Sequence, residues 1–293
     1  MKFRTAAPLV PWLLATACAT PTADGVLELP DGRTAAKLQS AAYDGAQHDA
    51  TCKVWHDVFS PGGTLLTKGL GGQHPHHRGL FVGWNRIRIG EATRDVWHCT
   101  AGVSQRWRQQ LSPASHDLGA EWQVQAIDWC DAAGQPFVHE RRGLRVEAVD
   151  DTAFVLHMDV LLRAAHERVL LRGDPQHAGI QFRALQQFAE PGATPVRYVR
   201  PASAKAQDND VWTGCEWIAA VLPLATGAVT VLRVEHADNP TATWSTRAYG
   251  RFGATYDLDL DADRAKRLRV DWVIADGERD ATWCEQLAKA LRL

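Results

Sequence analysis

The sequence predicts an all-β protein, a large antiparallel β-sandwich with a C-terminal helix. Three observations carry this expectation. Segments of five to eight residues alternate apolar and polar side chains with a period of two, as half-buried strands do. Turn-forming Gly, Asp and Pro residues recur between these segments. No helical pattern intervenes before the end of the chain, which favours antiparallel pairing through tight turns.

The elements follow in order. Leu80-Phe81-Val82-Gly83-Trp84 is an apolar run that enters the core. Trp122, Val124 and Ala126 share a face. Phe154, Leu156, Met158 and Val160 line one side of a further strand. Val229 to His236 alternates in the same way, and so does Leu268 to Ala275, with Leu268, Val270, Trp272 and Ile274 in register. Turn signals stand at Pro61-Gly62-Gly63, Asp131-Ala132-Ala133-Gly134, Asp150-Asp151, Pro191-Gly192-Ala193 and Asp276-Gly277. One helix is expected near the end. Thr282-Trp283-Cys284-Glu285 reads as a capping box, followed by Trp283, Leu287, Ala290 and Leu291 at helical spacing. With no internal repeat and no low-complexity linker, residues 25–293 read as one domain.

The chain has 293 residues, enough to bury a sizeable core. Its 32 basic and 34 acidic residues give a net charge of −2, and no run of like charge exceeds three residues. That is no electrostatic footprint for nucleic acid or for an anionic membrane surface. Trp is the commonest aromatic, at 12 against 8 Phe and 4 Tyr. Most of these belong in a core, but in a cleft the indole also stacks on the apolar face of a sugar.

Residues 1–17 read as a secretory signal peptide. Lys2 and Arg4 start it, Ala6 to Ala17 is apolar and uncharged, and Ala15-Thr16-Ala17 is a small-residue cleavage pattern. Cys18 follows directly, so the expectation is export, either as a lipoprotein anchored through Cys18 or as a plain secreted protein. The location is then periplasmic, outer-membrane lipoprotein or secreted. No segment approaches the roughly 20 apolar residues that a membrane-spanning helix needs. Removing Cys18 leaves Cys52, Cys99, Cys130, Cys215 and Cys284. None forms a C-x-x-C pair, which argues against a zinc knuckle. Export permits one or two disulfides, and the remaining thiols are expected to be small buried apolar groups.

Three segments carry candidate chemistry. The first is Gly72-Gln73-His74-Pro75-His76-His77-Arg78-Gly79, three imidazoles and a guanidinium within five residues. Histidine serves as acid, base or metal ligand near neutrality. In an extended segment His74 and His76 would point the same way and share a divalent metal ion, with His77 opposite and His177 or His98 as a third ligand. Pro75 and the flanking glycines suggest a rigid loop that feeds a buried strand. The second segment, Arg172 to Arg183, repeats that design. His177, Gln181 and Arg183 share one parity, and Asp174 can orient His177. The third runs from His236-Ala237-Asp238-Asn239-Pro240 to Trp244 and Arg247-Ala248-Tyr249-Gly250. Here Trp244 would stack, Arg247 would hold a carboxylate or hydroxyls, and Tyr249 would donate or orient. Trp97-His98 is a weaker candidate. The sequence contains no nucleophile elbow, Walker loop, H-E-x-x-H or dinucleotide fingerprint, which argues against serine-hydrolase, nucleotide and nicotinamide chemistry.

The three segments in this order resemble a bacterial family of uncharacterised secreted proteins known as PmoA-like. The match lies in His74-Pro75-His76-His77-Arg78-Gly79, then Asp174 to Arg183, then Asn239-Pro240, Trp244 and Arg247-Ala248-Tyr249-Gly250. The family name points to a methane-oxygenase subunit, but such a copper membrane enzyme needs transmembrane helices that this sequence lacks. The family is similar to the galactose-mutarotase-like supersandwich, and that similarity implies carbohydrate chemistry on a sheet face with histidine as acid or base. The separated histidines and late Glu of mutarotases are not evident here.

The reading is therefore an exported carbohydrate-active enzyme of lyase or hydrolase type that acts on a sugar or oligosaccharide. His76, His77, Arg78 and His177 would be catalytic. Gln181, Arg183, His236, Trp244, Arg247 and Tyr249 would bind substrate, and His74 with His76 would take any divalent metal. The competing expectation is a non-catalytic glycan-binding envelope protein. Convergence of the histidines and Arg183 favours the first, and an open platform of Trp side chains favours the second.

Overall fold

The computed structural model describes residues 25–292. The expected signal peptide and Cys18 lie outside the described residues. The chain is mostly strand, and every strand pairing is antiparallel. Two large sheets of nine and eight strands form the body, and a four-stranded sheet accompanies them.

The eight-stranded sheet centres on the strands Pro136–Asp150, Ala153–Ala164 and Lys266–Asp276. Their registers place Leu156 opposite Val146 on one side and Trp272 on the other. Period-two alternation then puts Phe154, Leu156, Met158 and Val160 on the inner face with Val270, Trp272 and Ile274. The expected turns close these hairpins. At Asp131, the carboxylate accepts from the backbone N–H groups of Ala133 and Gln135 at 3.0 and 2.9 Å, and Gly134 N–H donates to the Asp131 carbonyl at 2.9 Å.

The nine-stranded sheet supplies the other half of the core. Leu80, Val82 and Trp84 of the strand Leu80–Trp84, Ile180 and Phe182 of Ala178–Arg183, and Phe252 and Ala254 of Arg251–Thr255 all join the inter-sheet cluster. Two ion pairs cross this apolar layer. Arg142 bonds Glu140 at 2.6 Å and the Val54 carbonyl at 3.1 Å, while Glu140 also accepts from Trp129 Nε1 at 2.7 Å. Arg233 pairs with Glu235, donates to the Ile180 carbonyl at 2.7 Å, and lies over the rings of Trp244 and Trp272. Each buried cation here has its own carboxylate, which the low dielectric of the core demands.

The outer face of the eight-stranded sheet is covered by the helix Ala281–Leu291. Its start differs from the expected capping box. Asp280 is the N-cap, and its carboxylate accepts from Trp283 N–H at 2.8 Å. The buried seam is Cys284 and Ala288, flanked by Trp283, Leu287 and Leu291, while Ala290 is exposed. The expected stripe is therefore rotated by part of a turn. All five described cysteines are free thiols, so none of the disulfides that export would permit joins two of them.

The buried Arg142–Glu140 pair gives a first prediction. Replacing Glu140 by Gln strips the counter-charge from a fully buried guanidinium and should cost about 3–5 kcal/mol, read as a lowered urea midpoint.

Candidate functional site

The strands Leu80–Trp84 and Ala178–Arg183 are neighbours in the nine-stranded sheet, with Phe81 opposite Gln181. While Leu80, Val82, Ile180 and Phe182 point into the core, the alternate residues Phe81, Gln181 and Arg183 face outward. Phe81 forms a separate small apolar cluster with Trp55 and Trp97. This outer face is the floor of the candidate site.

Two loops of the same construction feed the strand pair. In each, the backbone N–H of a histidine donates to the carbonyl three residues earlier, His77 to His74 and His177 to Asp174, both at 3.0 Å. A glycine then admits the chain to the sheet. Gly79 has φ +55°, and a Cβ there would lie 2.3 Å from the His56 carbonyl oxygen. Gly179 has φ +89°, and its Cβ would meet the Ala254 carbonyl oxygen at 1.9 Å. No side chain fits at either position.

The first segment is a turn, in keeping with the loop expected from Pro75 and the glycines and not extended as two histidines sharing a metal would need, with His74 itself at φ +55°. The consequence is that all three of its imidazoles gather on one side. His74 and His77 have centroids 5.2 Å apart, and His76 and His77 4.3 Å. The row continues from His76 to His98 at 4.5 Å and from His98 to His177 at 5.2 Å. Trp97 lies edge-on to both His77 and His177, at 5.3 and 5.9 Å, and Tyr249 closes the His74 end at 5.0 Å. Five histidines from three loops thus form an arc over aromatic side chains.

Two members of the arc are held by carboxylates. His177 Nδ1 is 2.7 Å from Asp174, and His98 Nδ1 is 2.7 Å from Asp95. Asp95 also accepts from the His98 backbone N–H at 2.7 Å. Burial pushes the Asp174 carboxyl up, but hydrogen bonds from Asn85 and His177 outweigh it, and the net shift is downward. Asp174 therefore stays ionised. With Nδ1–H committed to an aspartate, each ring presents Nε2 for chemistry. Both side chains remain open, His177 at 38% and His98 at 30% exposure.

The other three differ. His77 is 2% exposed and neither ring nitrogen has a partner. Burial, then His76 and Arg251, drive its pKa well below the ordinary value. Burial also lowers His76 to about 2, with Lys53 and the neighbouring histidines adding to the effect. His74 is lowered by burial and by Arg183, Arg251 and Lys68. These three rings are neutral. His77, expected as a general acid or base, is a buried, unprotonated imidazole in the arc.

Other expected residues divide. Tyr249 lies in the site, with the Arg183 guanidinium 4.7 Å above its ring. Arg183 donates to the carbonyls of Tyr249 at 2.5 Å and Ala184 at 2.9 Å. Gln181 donates to the Ala178 carbonyl at 2.9 Å and accepts from Arg251 at 3.1 Å. Arg247 stands at the edge, held by the Asn209 carbonyl at 2.8 Å and side chain at 3.0 Å. Arg78 is turned into the protein. It is 3% exposed, lies over Trp55, and ties its loop down through the Pro75 and Asp49 carbonyls, which makes it a positioning residue. Trp244 offers no stacking surface, because it is fully buried between the sheets with Nε1 donating to the Cys215 carbonyl at 3.0 Å. His236 is far from the arc in the fold. It lines a depression of about 310 Å³ on the other large sheet with Trp122, His157, Asp159, Arg269 and Asp271.

The metal expectation meets the same geometry. His74 and His76 sit 6.0 Å apart, edge to face. Among the described residues no group of three or more His, Cys, Asp or Glu side chains is arranged to hold a metal ion.

Sequence reasoning missed Lys53, Lys68 and Arg251 and undervalued His98. The His98 signal was present, since Asp95-Val96-Trp97-His98 repeats the D-x-x-H spacing of Asp174-Pro175-Gln176-His177. Nothing in the sequence marked the two lysines.

A family model described as a family of unknown function, DUF6807, matches residues 29–289. It carries neither an activity nor the PmoA-like name. No curated protein matches the sequence. Among solved structures, a polysaccharide lyase is similar at 11% identity and TM-score 0.40, over 86% of this chain and 34% of that one. Heparan sulfate lyase HepC from Pedobacter heparinus is similar at 6% identity and TM-score 0.38, over 90% and 37%. A human-microbiome protein assigned as a kojibiose phosphorylase gives 7% identity and TM-score 0.37, over 93% and 36%. The chain therefore spans little more than a third of each of these structures.

The buried neutral histidines set a pH limit on stability. Their folded pKa values lie below the unfolded value of about 6.5, so the unfolded chain takes up protons first as pH falls. Stability should be full above pH 6.5 and decline below it, by about 1.4 kcal/mol per pH unit for His77 alone. Melting temperatures from pH 7.5 to 5 should show a shallower decline in His77→Gln than in the parent.

Proposed function

The chain belongs to the DUF6807 family, and we propose that it is a carbohydrate-active enzyme of lyase or hydrolase type, exported and acting on a sugar or oligosaccharide by histidine acid–base catalysis. One observation carries this reading. Two aspartate-oriented histidines, His177 with Asp174 and His98 with Asp95, stand 5.2 Å apart and partly open.

The pair suits proton transfer in both directions. With one imidazole neutral, its Nε2 accepts a proton from the substrate or from an attacking water. With the other protonated, its Nε2–H delivers a proton to a leaving oxygen, and the aspartate behind each ring stabilises the imidazolium form. Tyr249, half-buried at the His74 end of the arc, supplies a flat face suited to the C–H face of a pyranose, while buried Trp97 backs the histidines from beneath. The neutral rings of His74, His76 and His77 line the same face without competing for protons. On this reading His177 keeps its catalytic role, His98 joins it, and His76 and His77 shape the surface. Export would place the protein in the periplasm, on the outer membrane through a lipidated Cys18, or outside the cell.

The exposed hydrophobic side chains argue against the binding-protein alternative. Leu65, Leu70 and Trp107 are the large apolar side chains exposed among the described residues, and Trp122, Trp212 and Trp283 are half-buried at separate places in the fold.

Purified protein screened on neutral and acidic oligosaccharides should release product. His177→Ala and His98→Ala should each lower kcat by about 10²–10⁴-fold, the usual value of a general acid or base. Asp174→Asn should lower kcat less and shift the pH profile. Unchanged turnover in both histidine variants would end the dyad mechanism, and glycan binding without turnover would favour a binding protein.

A further inference from the structure

The described residues include seven buried cations: Lys53, Lys68, Arg78, Arg142, Arg183, Arg233 and Arg251. They separate into two groups. Arg142 and Arg233, between the sheets, each have a carboxylate, from Glu140 and Glu235. The five around the histidine arc make no ion pair. Lys53 donates to the carbonyls of His76 at 2.8 Å and Trp97. Lys68 reaches the carbonyls of His77 at 3.2 Å, Gly69 at 3.3 Å and His74 at 3.4 Å. Arg78 holds Pro75 and Asp49, and Arg183 holds Ala184 and Tyr249, all through carbonyl oxygens. Arg251 bonds the neutral side chains of Gln181 at 3.1 Å, Ser245 at 2.6 Å and Gln176 at 2.6 Å.

The nearby carboxylates form no ion pair with any of the five, although Asp95 is close enough for its charge to favour protonated Lys53. Asp95 and Asp174 are committed to His98 and His177. The charges that act on Lys68 are those of Arg183, Arg78 and Lys53, all of like sign. Arg183, fully buried, also leaves Nε and Nη2 without partners. Keeping five basic side chains out of water without a paired carboxylate is costly, as the lowering of Lys53 and of Lys68 (to about 8) by burial shows, and between the sheets this protein avoids that cost. A surface so arranged is complementary to an anion.

We propose that the site takes an anionic sugar, with the carboxylate of a uronic acid supplying the counter-charge that Lys53, Lys68, Arg183 and Arg251 lack. The anion would lie beside the arc, toward the His74–Tyr249 end, where Arg183 covers Tyr249. The sugar ring would then extend along the histidine row toward His98 and His177. The choice of a sugar rests on the reading above, whereas the choice of an anion rests on the charges alone.

Calorimetry and thermal melting of the intact protein with galacturonate, galactose, a sulfated galactose and inorganic sulfate test this. Galacturonate should raise the melting temperature and bind at least tenfold more tightly than galactose, with affinity falling as NaCl is added. Lys68→Met and Arg183→Lys, each checked for a cooperative melt, should lose that preference. A variant that fails to melt cooperatively leaves the other to decide, and the parent's preference for acid over neutral sugar is independent of both. A sulfated galactose that binds in place of galacturonate keeps the anionic class and changes the anion. Equal binding of galactose and galacturonate, or an undiminished acidic preference in a folded variant, overturns the proposal. Turnover of neutral glycans alone would leave the enzyme standing and remove the anion. Acidic binding without turnover of any glycan would do the reverse.

Discussion

The two faces of one strand pair govern the molecule. Leu80–Trp84 and Ala178–Arg183 lie side by side, and strand alternation sends their side chains in opposite directions. One set, with Leu80, Val82, Trp84, Ile180 and Phe182, is locked into the inter-sheet core. A one-residue slip would put Phe81, Gln181 and Arg183 into that core and expose the others, so the register is strongly specified. Because the core fixes the register, it also fixes where Phe81, Gln181 and Arg183 stand on the outer face. The loops that precede the strands enter through Gly79 and Gly179, where no side chain could be accommodated. The site inherits its rigidity from packing on the opposite side of the same sheet.

Electrostatics differ sharply across that sheet. Between the sheets the guanidinium groups are neutralised locally, and the pairs serve as bridges among the tryptophans. Outside, the cations hold loop carbonyls and repel one another. This distribution explains the protonation states of the arc. Burial is the leading reason that His74, His76 and His77 resist protonation, and the surrounding Lys and Arg charges add to it. His98 and His177 differ in setting, each partly open to water and backed by an aspartate. The arc thus divides into three neutral imidazoles under the influence of the cations and two partly open ones held by aspartates.

Much of this was legible in the sequence, for physical reasons that differ by residue. Period-two alternation in Phe154–Val160 and Leu268–Ala275 identified strands because a half-buried sheet imposes that period. The shared parity of His177, Gln181 and Arg183 placed the last two on one face for the same reason. The His74–His77 loop was visible as a cluster, but its turn was not, since alternation does not operate where Pro75 and a left-handed His74 reverse the chain. Trp244 was misread because an indole is equally suited to a sugar and to a core, and only the register of its strand decides between them. His236 was grouped with the site by order along the chain, yet it follows a strand of the other sheet. Lys53 and Lys68 carried no sequence signal at all, because their role depends on carbonyls of the histidine loop and of the Trp97 segment folded against them.

The arrangement also bears on why the arc contains more histidines than acid–base chemistry requires. Two imidazoles suffice to move protons, and the Asp95 and Asp174 partners single out His98 and His177. Three further rings could have been aliphatic if filling space were the only need. A neutral imidazole, however, can accept or donate a hydrogen bond without adding charge. Beside Lys53, Lys68, Arg183 and Arg251, protonated groups would add repulsion, and apolar groups would give hydroxyls no partner. Neutral histidines avoid both. The ring nitrogens of His77, and Nε2 of His76, are accordingly buried without a partner, polar but uncharged groups beside the cations.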